Sequence, residues 1–419
     1  MPFTALGLAP SLAQAAADLG FAAPTPIQTE AIPAVLTGRD LLATAQTGSG
    51  KTAAFALPLL QRWLANPPSE GLRPLQTLVL VPTRELAAQV GEVLRSLAQL
   101  LAQRPKIAVA FGGVSVNPQM LALRGGADIV VATPGRLLDL IEKNALKLHT
   151  VQHLVLDEAD RLLDLGFADE LGRVLALLPT QRQTLFFSAT FAPAVEALAA
   201  QMLKNPQRVA VEATPGDAAV IEQRVFEVDD KRRAQLLRQL IKDHGWERVL
   251  VFVASQYAAE HLAAKLHKGD AFATSFHGGL SQGARKQTLQ EFKEKRWDVL
   301  VTTYLASRGL HIDQLPVVVN FDLPRSATDY THRIGRTGRA GENGLAISFV
   351  TAASEAHWRV IEKRQGLSLP REQLPGFEPT DVAPANLQDP EATGGIKGKR
   401  PSKKDKLRAA AEAAQNPNG

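Results

Sequence analysis

A glycine-rich octet near the N-terminus has the residue types and spacing of a phosphate-binding loop. It lies between a strand-like segment, Asp40–Ala43, and the apolar segment Ala53–Leu60. Glycines let the backbone curl so that successive N–H groups point at phosphate oxygens, and the following helix adds its positive end. We therefore predict that this loop holds the phosphates of a nucleotide. Its members are Ala45, Gln46, Thr47, Gly48, Ser49, Gly50, Lys51 and Thr52.

Two side chains of the octet have distinct chemistry. Lys51 would reach the β- and γ-phosphates, and Thr52 would ligate Mg²⁺. The usual pattern begins with glycine, whereas this octet begins with Ala45. The alternative is a glycine-rich turn with an incidental lysine, and the order strand, loop, helix argues against it.

Two neighbouring acidic residues, Asp157 and Glu158, follow the apolar run His153–Leu156. A carboxylate at the end of a strand can hold Mg²⁺, and the next one can take a proton from an attacking water. Taken alone, such a pair is most often a solvated loop. Because it follows a phosphate-binding loop in the same half of the chain, we predict that Asp157 is a metal ligand and Glu158 a general base.

The C-terminal half has no phosphate-binding loop of this kind, since its strand-like Val249–Val253 leads into Ala254–Tyr257. It carries instead an octet, His332–Arg339, with arginines at positions 333, 336 and 339. Guanidinium groups at this spacing suit the charge on a transferring phosphoryl group, and we predict catalytic roles for Arg336 and Arg339. The alternative is an exposed basic patch that binds RNA.

Short apolar runs ending in polar clusters, with amphipathic segments such as Leu86–Leu101 between them, indicate repeated βαβ units. Ligands of such sheets bind beyond the carboxyl ends of the strands, where these polar clusters lie. A polar stretch at 212–217 separates two such series. We predict an α/β protein with lobes at 31–211 and 212–370, followed by a disordered linker and basic tail at 371–419.

The net positive charge of the sequence lies in its C-terminal tail. Residues 397–419 hold seven basic and two acidic residues, which accounts for the whole net charge of +5. The tail could attract RNA phosphates or merely be solvated. There is no cysteine, no apolar run long enough for a membrane span and no secretory signal at Met1–Leu6, so we expect a cytoplasmic protein without a membrane partner.

The ordered series of motifs resembles the DEAD-box RNA helicases over roughly residues 3 to 360. The resemblance implies two RecA-like lobes in tandem, of the P-loop NTPase type. Residues 1–30 would form the family's Q motif segment, in which Gln28 bonds the adenine edge and Phe21 stacks on the ring, with Thr25 also at the nucleotide. It implies ATP and Mg²⁺ as cofactors. Residues that would couple the ATP and RNA sites are Ser188, Ala189, Thr190 and His332.

By the same resemblance, a set of hydroxyl, backbone and arginine groups would contact RNA. Such groups bind phosphate and sugar, so recognition would be largely independent of base sequence. They are Pro82, Thr83, Arg84, Gly113, Thr133, Pro134, Gly135 and Arg136 in the first lobe and Arg285, Thr303, Arg308 and Gly309 in the second, with His277, Gly278 and Gln282 nearby.

Two positions depart from the family pattern: Tyr304 and His311 stand where the family usually has aspartates. The second aspartate contacts the ATP ribose, and loss of a charge-assisted hydrogen bond would weaken ATP binding or closure by about 1.5–3 kcal/mol. We predict that His311→Asp lowers the KM for ATP by about tenfold, a change that ATPase titrations would measure. An unchanged KM would show that this reading of position 311 is wrong. For Tyr304, stacking on RNA and filling of a pocket both stay open.

The sequence thus favours an RNA-dependent ATPase that binds single-stranded RNA and locally unwinds short duplexes. The alternative is an ATP-gated RNA clamp or scaffold whose turnover is impaired by Tyr304 and His311. We expect a monomer, with ribosome-assembly or RNA-decay proteins as possible partners. A metabolic or transport ATPase would not explain the arginine octet, whereas a DNA helicase stays conceivable because spacing cannot detect the 2′-hydroxyl.

Overall fold

The computed structural model describes residues 2–45, 48–68, 71, 73–190, 192–211, 221–269, 271–307, 315–338 and 343–381. These residues form two compact units, one before residue 212 and one from residue 221 onward. We describe each lobe by itself. No helix among the described residues has the length and apolar character needed to cross a membrane.

The N-terminal lobe alternates strands and helices throughout. A 3₁₀ helix, Phe3–Leu6, precedes them. The α-helices are α1 Pro10–Asp18, α2 Pro26–Leu36, α3 Lys51–Ala65, α4 Arg84–Gln99, α5 Asn117–Ala122, α6 Pro134–Glu142, α7 Ala159–Asp164, α8 Ala168–Ala176 and α9 Pro193–Met202. The strands are β1 Leu41–Thr44, β2 Thr77–Leu80, β3 Ile107–Ala110, β4 Ile129–Ala132, β5 His153–Leu156, β6 Gln183–Ser188 and β7 Gln207–Ala210.

The seven strands form one parallel sheet in the order β3-β4-β2-β5-β6-β1-β7. Apolar side chains cover both of its faces, because alternate residues of each strand belong to different core clusters: Leu78 and Leu80 to one, Val79 and Val81 to the other. Such strands read as continuous apolar runs. Helix α4 packs one face through the stripe Leu86, Val90, Leu94 and Leu97, all buried.

The C-terminal lobe repeats this architecture. A 3₁₀ helix, Asp230–Arg232, follows its first strand. The α-helices are α10 Arg233–His244, α11 Gln256–His267, α12 Gln282–Lys293, α13 Tyr304–Ser307, α14 Ala327–Ile334 and α15 Glu355–Gln365. The strands are β8 Ile221–Glu227, β9 Val249–Val253, β10 Ala273–Phe276, β11 Val299–Thr303, β12 Val317–Asn320, β13 Gly344–Val350 and β14 Arg371–Glu372. They form a parallel sheet in the order β10-β11-β9-β12-β13-β8-β14.

Residues 371–381 differ from the sequence prediction, which placed them in a disordered linker. Arg371 and Glu372 add a short edge strand beside β8, and Glu372 accepts a hydrogen bond from Arg224 Nε at 2.9 Å. Further on, the backbone N–H of Thr380 donates to Asp229 Oδ1 at 2.9 Å. The partners that fix this segment lie about 150 residues earlier in the chain, so local hydrophobic periodicity does not reveal them.

A half-buried ion-pair network anchors β14. The guanidinium of Arg371 binds both carboxylate oxygens of Glu362, at 2.9 and 2.7 Å, and lies 3.1 Å from Glu355 Oε1. Glu362 is 8% exposed. Removing the arginine would therefore leave a buried carboxylate without its main cation.

We predict that Arg371→Ala lowers the free energy of unfolding of the C-terminal lobe by about 2 kcal/mol, the scale of lost charged hydrogen bonds. Urea titration of the full chain, with the two lobes followed separately, measures this change. Arg359→Ala is the matched control, because Arg359 pairs with the same Glu355 but is 65% exposed. It should cost less than about 1 kcal/mol. Equal losses in the two variants would contradict the proposed anchor.

Candidate ATP and RNA sites

The predicted phosphate loop follows β1 and its last residues begin α3. Gly50 is the N-cap of this helix with a left-handed backbone, φ 94°, which favours glycine. A Cβ at Gly50 would lie 2.5 Å from the Gln28 amide nitrogen, so the close approach also requires glycine. The ammonium of Lys51 is buried and donates to the Ala45 carbonyl at 2.8 Å. The side chain of Lys51 is thus bonded to the first residue of its own loop.

Two residues from the start of α2 brace this loop. Thr25 Oγ1 donates to the Ser49 carbonyl at 2.8 Å, and Gln28 Nε2 donates to the Gly50 carbonyl at 3.1 Å. Gln28 Oε1 also accepts from the Thr25 N–H, which completes a capping box. An amide has two N–H donors and two lone pairs, so these two bonds use one donor and one lone pair of Gln28. The sequence prediction for Gln28 did not include its contact with the loop.

Asp157 lies directly after β5, two strands from β1 in the sheet. Its carboxylate is 3% exposed and accepts the Glu158 N–H at 2.9 Å. Burial raises the pKa of Asp157 to about 6, although the charge of Lys51 opposes the rise. Its charged form is therefore poorly stabilised by the protein alone, and a bound cation would stabilise it.

Glu158 links β5 to α7 through an unusual backbone. Its φ of 52° and ψ of 50° are left-handed, which is rare for a residue with a long side chain and occurs often at functional sites. The side chain is buried and lies 3.2 Å from Arg161 Nη1. The sequence analysis missed this ion pair, although the spacing of three residues on a helix is the signal for it.

The end of β6 contacts the acidic cluster. Ser188 is fully buried and its hydroxyl donates to the Thr190 carbonyl at 2.8 Å. Thr190 Oγ1 donates in turn to Asp160 Oδ2 at 3.3 Å. Segment 188–190, including Ala189, is therefore attached to the turn that carries Asp157 and Glu158.

The predicted RNA residues of the first lobe follow β2, β3 and β4, which are neighbours in the sheet. Thr83 caps α4 by accepting the Leu86 N–H at 3.2 Å. A side chain on Gly113, φ 77°, would overlap the Arg84 guanidinium. These loops therefore lie together at the same edge of the sheet as the phosphate loop. Pro82, which precedes Thr83, is buried.

Helix α6 begins within this group. Thr133 is its N-cap but makes no side-chain capping bond, Pro134 follows, and open space lies where a side chain at Gly135 would stand. First-turn N–H groups left in this way suit a phosphate. Arg136 is 7% exposed and donates to the Val114 carbonyl at 2.7 Å. Its guanidinium thus also ties the loop after β3 to α6.

In the C-terminal lobe, the predicted RNA residue Arg285 is hydrogen-bonded within its own lobe. Arg285 is 2% exposed and donates to the carbonyls of His277, at 3.1 Å, and Ala306, at 3.3 Å. It joins the loop after β10 to α13, and its guanidinium lies over the Phe276 ring. His277 is buried as well. Thr303, the last residue of β11, is half-buried.

Two arginines of the octet, Arg333 and Arg336, lie among the described residues. Arg333 is buried: its Nη1 donates to Asn320 Oδ1 at 3.2 Å and to the Asp322 carbonyl at 2.7 Å. Burial lowers the pKa of Arg333 to about 10. Arg333 therefore stabilises its own lobe, and its guanidinium is already hydrogen-bonded to oxygen atoms there. Arg336, in the turn after α14, is 6% exposed.

Some predicted site residues lie outside the described residues. These are Gln46, Thr47, Arg308, Gly309, His311 and Arg339, together with the tail from residue 382. The described residues include no cluster of three or more histidine, aspartate or glutamate side chains arranged to hold a metal by themselves.

Two family models match the chain, one in each lobe. Residues 25–198 match the DEAD/DEAH box helicase family, and residues 232–341 match the helicase conserved C-terminal domain. The RNA helicase CrhR of Synechocystis is 43% identical over 363 residues, which are 86% of this chain and 72% of that protein. The ATP-dependent rRNA helicase rrp3 of Emericella nidulans is 40% identical, with coverage of 89% and 79%.

Solved structures agree in fold. Saccharomyces cerevisiae Dbp5 bound to RNA and ADP BeF3 is 32% identical, with a TM-score of 0.76 and coverage of 88% of this chain and 95% of that one. Each likeness spans both lobes and their RecA-like sheets. The chain therefore belongs to the DEAD-box family of RNA helicases.

Proposed function

We propose that the N-terminal lobe holds ATP at the phosphate loop and that hydrolysis requires arginine groups from the C-terminal lobe. The protein is an ATP-dependent RNA helicase of the DEAD-box family. The observation that carries the assignment of the site is the proximity of Lys51, which follows β1, to Asp157 and Glu158, which follow β5. These two strands lie on either side of β6, and the charge of Lys51 acts on Asp157. The relatives favour this function over the clamp or scaffold.

Within this site each side chain has a definite task. Lys51 neutralises charge on the β- and γ-phosphates once it leaves the Ala45 carbonyl. Glu158, fixed by its left-handed backbone, takes the proton of the attacking water. Thr25 and Gln28 hold the loop and leave polar atoms for the adenine. The burial of Lys51, Asp157 and Glu158 strengthens these electrostatic contacts.

The donor set fits Mg²⁺. Asp157 is a buried carboxylate whose pKa is raised by burial, and Thr52 offers a hydroxyl one residue after the loop lysine. When bound with the nucleotide, Mg²⁺ would neutralise charge on the phosphate oxygens. A bound cation would also reduce the free-energy cost of keeping the buried Asp157 carboxylate charged. We therefore assign Thr52 and Asp157 as its protein ligands.

The RNA site of the N-terminal lobe lies at the carboxyl ends of β2, β3 and β4, beside the strands that carry the ATP site. The α6 N-terminus, Thr83, Arg84 and the backbone at Gly113 present phosphate-binding groups, and Thr303 extends the set in the C-terminal lobe. Coupling runs through the Thr190–Asp160 hydrogen bond, which joins segment 188–190 to the acidic turn. The relative rrp3, which is named as an rRNA helicase, supports ribosomal RNA as one substrate class.

The direct test is Lys51→Ala. We predict that ATP affinity falls by about 10- to 150-fold, the scale of a lost charge-assisted hydrogen bond. RNA-stimulated hydrolysis and strand separation of a short duplex should fall with it. Calorimetric ATP titration, beside an ATPase assay with and without single-stranded RNA, measures the effect. Lys147→Ala, which removes an exposed lysine of the same lobe, is the control. Normal ATP affinity in Lys51→Ala would refute the site.

A further inference from the structure

Tyr304 departs from the family pattern and occupies a defined place in the C-terminal lobe. It is the first residue of α13 and follows Thr303, the last residue of β11. Its hydroxyl lies 3.0 Å from His332 Nδ1 on α14. The bond therefore joins the end of β11, where the predicted RNA residue Thr303 lies, to α14. The turn after α14 carries Arg336.

The ring of Tyr304 makes a second contact with the same helix. The Arg333 guanidinium lies 5.5 Å from its centroid and 5.0 Å from that of Phe252. Because Arg333 is fixed by Asn320 and the Asp322 carbonyl, it gives the tyrosine ring a rigid neighbour. Tyr304 thus touches two successive residues of α14, one through its hydroxyl and one through its ring.

A tyrosine and an aspartate at position 304 would impose different states on His332. A phenol is a good donor, so its O–H donating to Nδ1 places the imidazole proton on Nε2. An ionised aspartate can only accept, so it requires a proton on Nδ1 and favours the charged imidazolium. The hydrogen-bond partner of one ring nitrogen decides the role of the other.

We propose that Tyr304 is a positioning residue that holds His332 as the neutral Nε2–H tautomer and thereby sets how strongly RNA binding stimulates ATP hydrolysis. The inference rests on the proposed function, because His332 acts there as a coupling residue. The bond also ties α14, and with it the turn that bears Arg336, to the end of β11. Removal of the hydroxyl should loosen that turn without removing any group that binds ATP.

The experiment compares wild type with Tyr304→Phe in the full-length protein. We expect the RNA-stimulated kcat to fall by about fivefold, the scale of one lost hydrogen bond, with the KM for ATP within about twofold and the melting temperature unchanged. Tyr257→Phe removes the hydroxyl of an exposed tyrosine that stacks on His261, so it is the matched control and should have wild-type kinetics. An unchanged kcat in Tyr304→Phe would overturn the proposal.

A double-mutant cycle identifies the route of the effect. If Tyr304 acts through His332, then Tyr304→Phe should cause no further loss in a His332→Ala background. Losses that multiply would overturn the proposal. In histidine-labelled protein, ¹⁵N spectra should show His332 protonated at Nε2 alone in wild type, whereas Nδ1 should carry a proton in Tyr304→Asp. The same protonation state of Nδ1 in both proteins would also overturn the proposal. Absence of RNA stimulation in wild type would instead refute the proposed function.

Discussion

Replacement of Glu158 by glutamine is expected to lower RNA-stimulated ATP hydrolysis by about 10²–10⁴-fold, the contribution typical of a positioned general base. The substitution keeps the length of the side chain and one acceptor oxygen, but it replaces the other oxygen with an NH₂ donor and removes the basicity. ATP binding should persist, because Lys51 and the loop backbone are untouched. Since hydrolysis is what releases the bound state, the variant should accumulate as a complex with ATP and RNA.

Single-turnover hydrolysis and the lifetime of the RNA complex measure these two consequences. Asp169→Asn is the matched control, since it removes one carboxylate charge from an exposed position of the same lobe. It should hydrolyse ATP at the wild-type rate. Hydrolysis by Glu158→Gln at more than about a tenth of that rate would show that another group accepts the proton.

The second large effect concerns the C-terminal lobe. Arg336→Ala should lower RNA-stimulated hydrolysis by about 10³–10⁵-fold, the range for an arginine that stabilises the charge of a phosphoryl transition state. ATP affinity should change little, because the phosphate loop lies in the other lobe. Arg336→Lys keeps the positive charge but loses the planar fork of donors, so it should recover only a small part of the rate.

The melting temperature must be followed in both Arg336 variants. Because Arg336 is 6% exposed, its side chain also contributes to the stability of its own lobe. Arg359→Ala, an exposed arginine of α15, controls for loss of a positive charge. A folded Arg336→Ala protein that still hydrolyses ATP at the wild-type rate with RNA would assign the catalytic cation elsewhere.

Much of the fold could be predicted from the sequence, because central strands of a parallel sheet are apolar on both faces. The prediction of a strand at Leu78–Val81 is confirmed at Thr77–Leu80, and that at Ile129–Ala132 without any shift. The edge strand β7 was missed. Its residues Gln207–Ala210 are only partly buried and therefore carry a weak apolar pattern.

The parts of the site that form from consecutive residues could be predicted from the sequence. The phosphate loop and the pair Asp157–Glu158 follow strands, as their spacing indicated. The sequence could not show which arginines face inward, because an arginine that binds carbonyls of its own lobe looks the same as one that binds phosphate. Arg285 and Arg333 are of the first kind, and their partners, His277 and Asp322, become neighbours only in the folded lobe.

Tyr304 illustrates the same point. Its departure from the family was visible, yet the sequence left open whether it stacks on RNA or fills a pocket. The structure gives it a partner, His332, 28 positions later. A contact between helices that follow different strands depends on the order of those strands in the sheet. Local sequence patterns do not determine that order.

The central claim is that ATP turnover needs groups from both lobes. The most direct measurement compares ATP hydrolysis by residues 1–211 alone with hydrolysis by the full chain in saturating single-stranded RNA, each at saturating ATP and Mg²⁺. We predict that the separate lobe binds ATP but turns it over at least about 10³-fold more slowly, since it lacks Arg336. Equal rates would contradict a catalytic centre divided between the lobes.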